Sequence, residues 1–228
     1  CWNLKSINIP DGLERIGSYL FAGSYMLRSI TIPKSVVTIA ANAFAESSAT
    51  IYNLSDILIT DENCQNYGLS VGGNWYNMYA ETELWDYAKF GDNLSVVRYK
   101  GNDKNVIIPA EYNGIPVTKI GESLFNANRD AYSMEGLENT NLNSVEMPNS
   151  ITTIGSSAFF NCVNLENVIW SNSLESIGAS AFSGCRSLTS VELGDAITSI
   201  GSSAFSNCAS LTSVELGDAL SLIHISEP

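Results

Sequence analysis

The chain has a single histidine, His224, close to its C-terminal end. A Ser–His–Asp or Cys–His site needs an imidazole beside its nucleophile, so chemistry of that kind is not expected. Basic residues are scarce too: 11 Lys and Arg stand against 24 Asp and Glu, for a formal net charge of −13. That imbalance argues against nucleic acid or an anionic membrane as the main partner. It suits a charge that keeps a long, flat surface soluble. No run of 18 apolar residues exists, so membrane insertion is not expected. The phosphate-binding G-x-x-x-x-G-K-[ST], a G-x-G-x-x-G after a strand and the calcium-binding G-G-x-G-x-D are all missing. There is no C-x-x-C pair, which removes a zinc ribbon. No catalytic residue, cofactor or metal site is expected.

What is present is a repeat. LNSVEMPNSITTIGSSAFFNCVN, LENVIWSNSLESIGASAFSGCRS and LTSVELGDAITSIGSSAFSNCAS follow one another, and LTSVELGDA opens a fourth copy. The leading residues Leu142, Leu165, Leu188 and Leu211 are 23 residues apart. A period of that length with an L-x-x-V-x-L core predicts a leucine-rich solenoid. In it, stacked parallel strands line one side and short turns or helical turns the other, a β-rich fold. Within L-x-S-V-x-L, Val191 and Leu193 are two residues apart and point to one strand face, while Ser190 and Glu192 point to the other. One such strand cannot bury its apolar side alone; stacked copies bury it continuously. Ile154, Ile177 and Ile200 are each followed by glycine, at the bend where a side chain would crowd the next coil. Phe159, Phe182 and Phe205 fill the core behind it. Two residues after each phenylalanine stands Asn161, Gly184 or Asn207, types that tolerate a left-handed turn.

The consensus L-x-S-[VI]-x-[IL]-P-x-x-[IVL]-x-x-I-G-x-x-A-F-x-x-C resembles the BspA-like class of bacterial leucine-rich repeats, over residues 1–47 and about 84–222. Residues 84–126 are similar to the opening unit of such arrays, with Tyr99, Gly101, Val106, Ile108, Pro109, Gly114, Ile115, Pro116, Val117, Ile120 and Gly121 in place. The resemblance implies a secreted or surface-anchored bacterial protein that adheres to host proteins or other cells.

Taken in order, residues 1–60 are expected to be the end of a first repeat array, since Cys1-Trp2-Asn3-Leu4 aligns with Cys162-Val163-Asn164-Leu165 and so starts mid-repeat. Residues 61–83 carry no repeat and read as an aromatic-rich insert or linker. Residues 84–220 form a second array, and the tail 221–228 departs from the pattern as if foreign to it. The cysteine column Cys162, Cys185 and Cys208 becomes Ser24 and Ser47 in other copies. Serine would not replace half of a bridge, so these thiols are expected to be buried and reduced.

Two sets of binding residues are expected. On the outward strand face, Ile107 and Ile169 interrupt a polar column, Glu146, Glu192 and Glu215 add carboxylates, and Asn167 stands among them. A polar loop over 127–141 contributes Arg129 and Tyr132. Such a patch would accept a basic protein segment with an apolar anchor, in a host or cell-surface macromolecule; an extracellular-matrix protein is the natural probe. The second set, Trp75, Tyr76 and Trp85, would form an aromatic platform for sugar if exposed and coplanar, or cap the array ends if buried. Stacked glutamates about 5 Å apart resemble a retaining glycosidase pair, but an open sheet lacks the pocket an acid needs. Three readings stand: a non-enzymatic adhesion module, a spacer within a larger surface protein, and a glycan-binding appendage of a secreted enzyme.

Overall fold

The computed structural model describes residues 3–70, 75–125, 141–216 and 222–223, the last two by backbone only. The chain divides into two compact units, residues 1–80 and 81–228. Both are built of short parallel strands from a repeat of about 23 residues, with almost no helix among the described residues. No helix among the described residues is long and apolar enough to cross a membrane.

The first unit contains β1 (Arg15–Ile16), β2 (Ser29–Ile32), β3 (Thr38–Ile39), β4 (Thr50–Asn53) and most of β5 (Trp75–Glu81). β2, β4 and β5 run parallel, with Ile30 beside Ile51 and Ile51 beside Trp75; β1 and β3 form a second parallel pair. The core collects one inward residue from each column: Ile16, Phe21, Leu27, Ile30, Ile32, Ile39, Phe44 and Ile51. Residues 60–70 depart from the sequence pattern of the other copies, yet they continue the stack through the backbone. The N–H groups of Asn42 and Phe44 donate to the carbonyls of Asn66 and Tyr67, each at 2.9 Å. A 3-10 turn at Cys64–Tyr67 shapes this stretch and buries Cys64. Asn53 is buried on β4, where its amide pairs with the Asn77 side chain at 2.9 Å and so clamps the coil behind it.

The second unit opens with the antiparallel hairpin β6 (Trp85–Phe90) and β7 (Asn93–Tyr99). Asp86 on β6 is fully buried; Arg98 Nη1 at 3.1 Å and Lys100 Nζ at 2.5 Å neutralise it, as a buried carboxylate requires. Next come β8 (Asn105–Ile107), β9 (Glu111–Tyr112) and β10 (Ile115–Ile120). β9 and β10 are joined by Asn113 and Gly114, with φ of 52° and 74°, the two positive values a two-residue hairpin turn demands. The coils that follow supply β11 (Ser144–Glu146) and β12 (Thr153–Ile154), β13 (Asn167–Ile169) and β14 (Ser176–Ile177), β15 (Ser190–Glu192) and β16 (Ser199–Ile200), then β17 (Ser213–Glu215) and β18 (Leu222–Ile223). The even-numbered strands form one unbroken parallel ladder from β10 to β18, with Ile120, Ile154, Ile177, Ile200 and Ile223 in register.

The other parallel ladder is in two pieces, β8–β11–β13 and β15–β17. At the break stands Trp170, in the column held by Met147 and Leu193. Its ring reaches Phe182 of its own coil at 5.1 Å and Phe205 of the next at 6.5 Å. An indole thus replaces Leu or Met in this column at the coil where the ladder is interrupted.

The turn side of each coil forms a third ladder. Residues two before the phenylalanine are left-handed in every described copy: Tyr19, Asn42, Ser123, Ser157, Ser180 and Ser203, with φ from 53° to 56°. So are residues two after it: Gly23, Glu46, Asn161, Gly184 and Asn207. This alternation aims successive N–H groups at the following coil. Ser157, Phe159 and Asn161 donate to the carbonyls of Ala179, Ala181 and Ser183 at 2.9, 2.7 and 2.8 Å. Between those turns lies a phenylalanine stack. Phe125–Phe159, Phe159–Phe182 and Phe182–Phe205 have centroids 5.1, 4.7 and 5.5 Å apart with planes within 18° of parallel, the offset arrangement that ring quadrupoles favour. The glycine column is set by contact between coils. A Cβ on Gly178 would stand 2.5 Å from the Ser156 nitrogen, and one on Gly201 would stand 2.4 Å from the Ala179 nitrogen.

Phe182 is fully buried in the middle of the ring stack. Phe182→Ala should therefore lower the unfolding free energy by roughly 3–5 kcal/mol, measured by chemical denaturation. An unchanged midpoint would show that the stack contributes nothing.

Candidate functional site

The expected acidic and aliphatic residues sit where the strand pleat puts them. Val106, Val145 and Val191 are buried, while Ile107, Glu146, Ile169, Glu192 and Glu215 face outward. In the three-strand piece the register sets Ile107 beside Glu146 and Glu146 beside Ile169. Ile107 is 68% exposed and Ile169 60%, large values for branched aliphatic side chains on a folded surface. Parallel strands lie about 4.8 Å apart, so the row places a carboxylate between two aliphatic knobs over roughly 10 Å. Two positions earlier, on the same outward face, runs Asn105, Ser144 and Asn167, where the Ser144 hydroxyl donates to Asn105 Oδ1 at 2.8 Å. Glu192 and Glu215 pair in register on β15 and β17. They therefore belong to the separate two-strand piece beyond the Trp170 break and do not continue the row directly. Arg129 and Tyr132 lie outside the described residues, as do His224 and most of the tail.

The three aromatic candidates do not form one platform. Trp75 and Tyr76 are consecutive on β5, so they project to opposite faces. Tyr76 stacks on Tyr52 at 5.8 Å, and Trp75 is half-buried against the first unit's core. Trp85 is buried in the second unit, against Tyr99 at 4.6 Å and Phe125 at 6.3 Å. Burial, and then a bond from its hydroxyl to Asp103 at 2.5 Å, push the Tyr99 phenol up to about 12.

Sequence reasoning missed a cleft in the first unit. The turn after Phe44 and the segment 68–70 enclose a space of about 240 Å³ against Trp75. Its acidic wall is Glu46, the left-handed residue of that coil, whose Oε2 accepts a bond from the Tyr25 hydroxyl at 2.9 Å. That bond, and the negative charge behind it, raise the Tyr25 phenol's pKa. Only the glycine and asparagine neighbours of Glu46 in its column hinted at the turn; nothing in the sequence announced the pairing.

The cysteines are all free thiols among the described residues. Cys162, Cys185 and Cys208 donate to the carbonyls of Phe125, Phe159 and Phe182 at 3.5, 3.2 and 3.2 Å. Each thiol thus ties its coil to the preceding one. Burial pushes all three thiols upward, Cys208 to about 11 and the other two further. No group of three or more His, Cys, Asp or Glu placed to hold a metal occurs among the described residues.

This geometry defines a class: a leucine-rich β-solenoid with a polar outward face, a column of free thiols and an aliphatic–acidic row. The model of the BspA type leucine rich repeat region matches residues 1–68 and 132–226 in six copies. That is more than half of the chain, and the chain belongs to this family, whose members are typically protein-binding. Among solved structures, a leucine rich cell surface protein from Faecalibacterium prausnitzii is 26% identical, over 91% of this chain and 58% of that one, with a TM-score of 0.52. The pneumococcal vaccine antigen PcpA shares the fold at 22% identity and a TM-score of 0.52, over 91% of this chain and 43% of its own. The T. pallidum leucine rich repeat protein is 26% identical over 60% of this chain and 71% of its own, with a TM-score of 0.47. This chain thus spans little more than half of the F. prausnitzii protein. No curated protein matches the sequence.

A thiol held near 11 is about one part in a thousand thiolate at pH 8, so Cys162, Cys185 and Cys208 should resist iodoacetamide in the native protein and label fully once it is denatured; a crosslinked peptide joining two of them would contradict this. Above about pH 9 the unfolded chain ionises its thiols while the folded chain keeps them protonated, so stability is complete below pH 9 and falls as pH rises toward 11. Denaturation midpoints that hold level or rise from pH 8 to 10.5 would refute the burial argument.

Proposed function

We propose that this chain is a non-enzymatic, extracellular binding module that attaches its parent protein to a host or cell-surface macromolecule, through the outward face of the second unit. The observation that carries the reading is the in-register row Ile107–Glu146–Ile169, two exposed aliphatic side chains either side of a carboxylate. A uniform polar ladder gives a partner no address; this departure from it does. Charge complementarity selects a basic segment with an aliphatic anchor, and the net charge of −13 would speed the encounter. Family membership and the cell-surface relative support the location. A flat patch desolvates its contacts poorly, so affinity should be of micromolar order.

Surface plasmon resonance against a panel of extracellular-matrix proteins tests this. Glu146→Lys combined with Glu192→Lys should weaken binding of a cationic matrix protein at least ten-fold and flatten its salt dependence. Ile107→Ser with Ile169→Ser should weaken it by a similar factor without changing the salt slope. A control placing two lysines on the β12–β14 side should leave binding intact. Equal losses in control and test variants would reduce the face to a solvated spacer surface.

A further inference from the structure

The first unit's cleft carries the furthest inference. We propose that it binds one neutral sugar ring, as the terminal residue of a glycan.

Three features of the cleft converge on that ligand. Its volume, about 240 Å³, lies below the roughly 300–1,000 Å³ typical of sites for drug-sized ligands, which suits a single ring. Its lining is hydroxyl-rich: Ser47, Ser48 and Ser70 stand around it, with no cationic side chain among them. Its acceptor is Glu46. The Tyr25 hydroxyl donates to Glu46 Oε2 in an exposed contact, and among the described residues Oε1 and the hydroxyls of Ser48 and Ser70 have no hydrogen-bond partner. A carboxylate oxygen accepts hydroxyl hydrogens, and serine hydroxyls both donate and accept, the complement of the hydroxyls on a pyranose.

Trp75 supplies the apolar contact. Its indole is pinned twice, by packing on the core beside Ile51 and by its N–H donating to the Ser70 carbonyl at 3.3 Å. A ring held before the ligand arrives costs no ordering on binding. The C–H face of a sugar buries against such a surface while its hydroxyls reach Glu46 and the serines. This site lies wholly in the first unit and does not rest on the protein-binding row of the second.

Saturation-transfer-difference NMR on the full chain tests it, with methyl β-D-glucopyranoside, methyl β-D-galactopyranoside and N-acetylglucosamine as probes and choline chloride as a cationic comparison. At least one sugar should show transfer, with an affinity on the order of millimolar. Glu46→Gln should weaken it about ten-fold, and Ser48→Trp, which fills the cleft from an exposed position, should abolish it. Both variants should keep the parent circular dichroism spectrum, since neither touches the core. No transfer from any of the three sugars, transfer that survives Ser48→Trp, or choline binding tighter than every sugar would overturn the assignment.

Discussion

Each coil of this solenoid must bring its backbone to about 4.8 Å from the next on three sides at once. The constraint is sharpest at the glycine column, where a Cβ on Gly178 or Gly201 would overlap the preceding coil's backbone. It is met elsewhere by hydrogen bonds: two strand ladders, and a third through the left-handed turns around the phenylalanines. The phenylalanine stack and the thiol-to-carbonyl bonds of the cysteine column fill the space those ladders enclose. Every repeated column is the side-chain consequence of that spacing.

The same constraint explains what is free to vary. Outward side chains on the strands touch no neighbouring coil's core, so they can be copied or changed without disturbing the stack. Ile107 and Ile169 exploit this freedom on either side of Glu146. Trp170 stands where the ladder is divided between β13 and β15, in a column that Met147 and Leu193 fill in the flanking coils. The acidic pair Glu192 and Glu215 is thereby placed on a different sheet piece from Glu146.

Much of the fold was legible in the sequence, because repetition turns each burial requirement into a column. Phe182, Ile177 and Cys185 could each be placed inside from their phase alone, and the exposed isoleucines from the two-residue strand period. Three features were not legible. Ser157, Ser180 and Tyr19 are left-handed, although neither residue type favours that conformation; the inter-coil hydrogen bonds impose it. Residues 60–70 extend the stack although they depart from the repeat's sequence pattern, since a backbone ladder does not depend on it. The cleft at Glu46 depends on Tyr25 and Trp75, 21 residues before it and 29 after, and residues so far apart carry no shared pattern.

Native-state hydrogen exchange read by NMR addresses the three-sided ladder most directly. Turn residues exposed on a surface ordinarily exchange fast, whereas ladder amides open only with the structure around them. The account predicts that the amides of Ser157, Phe159, Asn161, Phe182 and Gly184 are protected as strongly as those of the β12 and β14 strands. Exchange of these amides at the rate of a free turn, with the strands still protected, would contradict it.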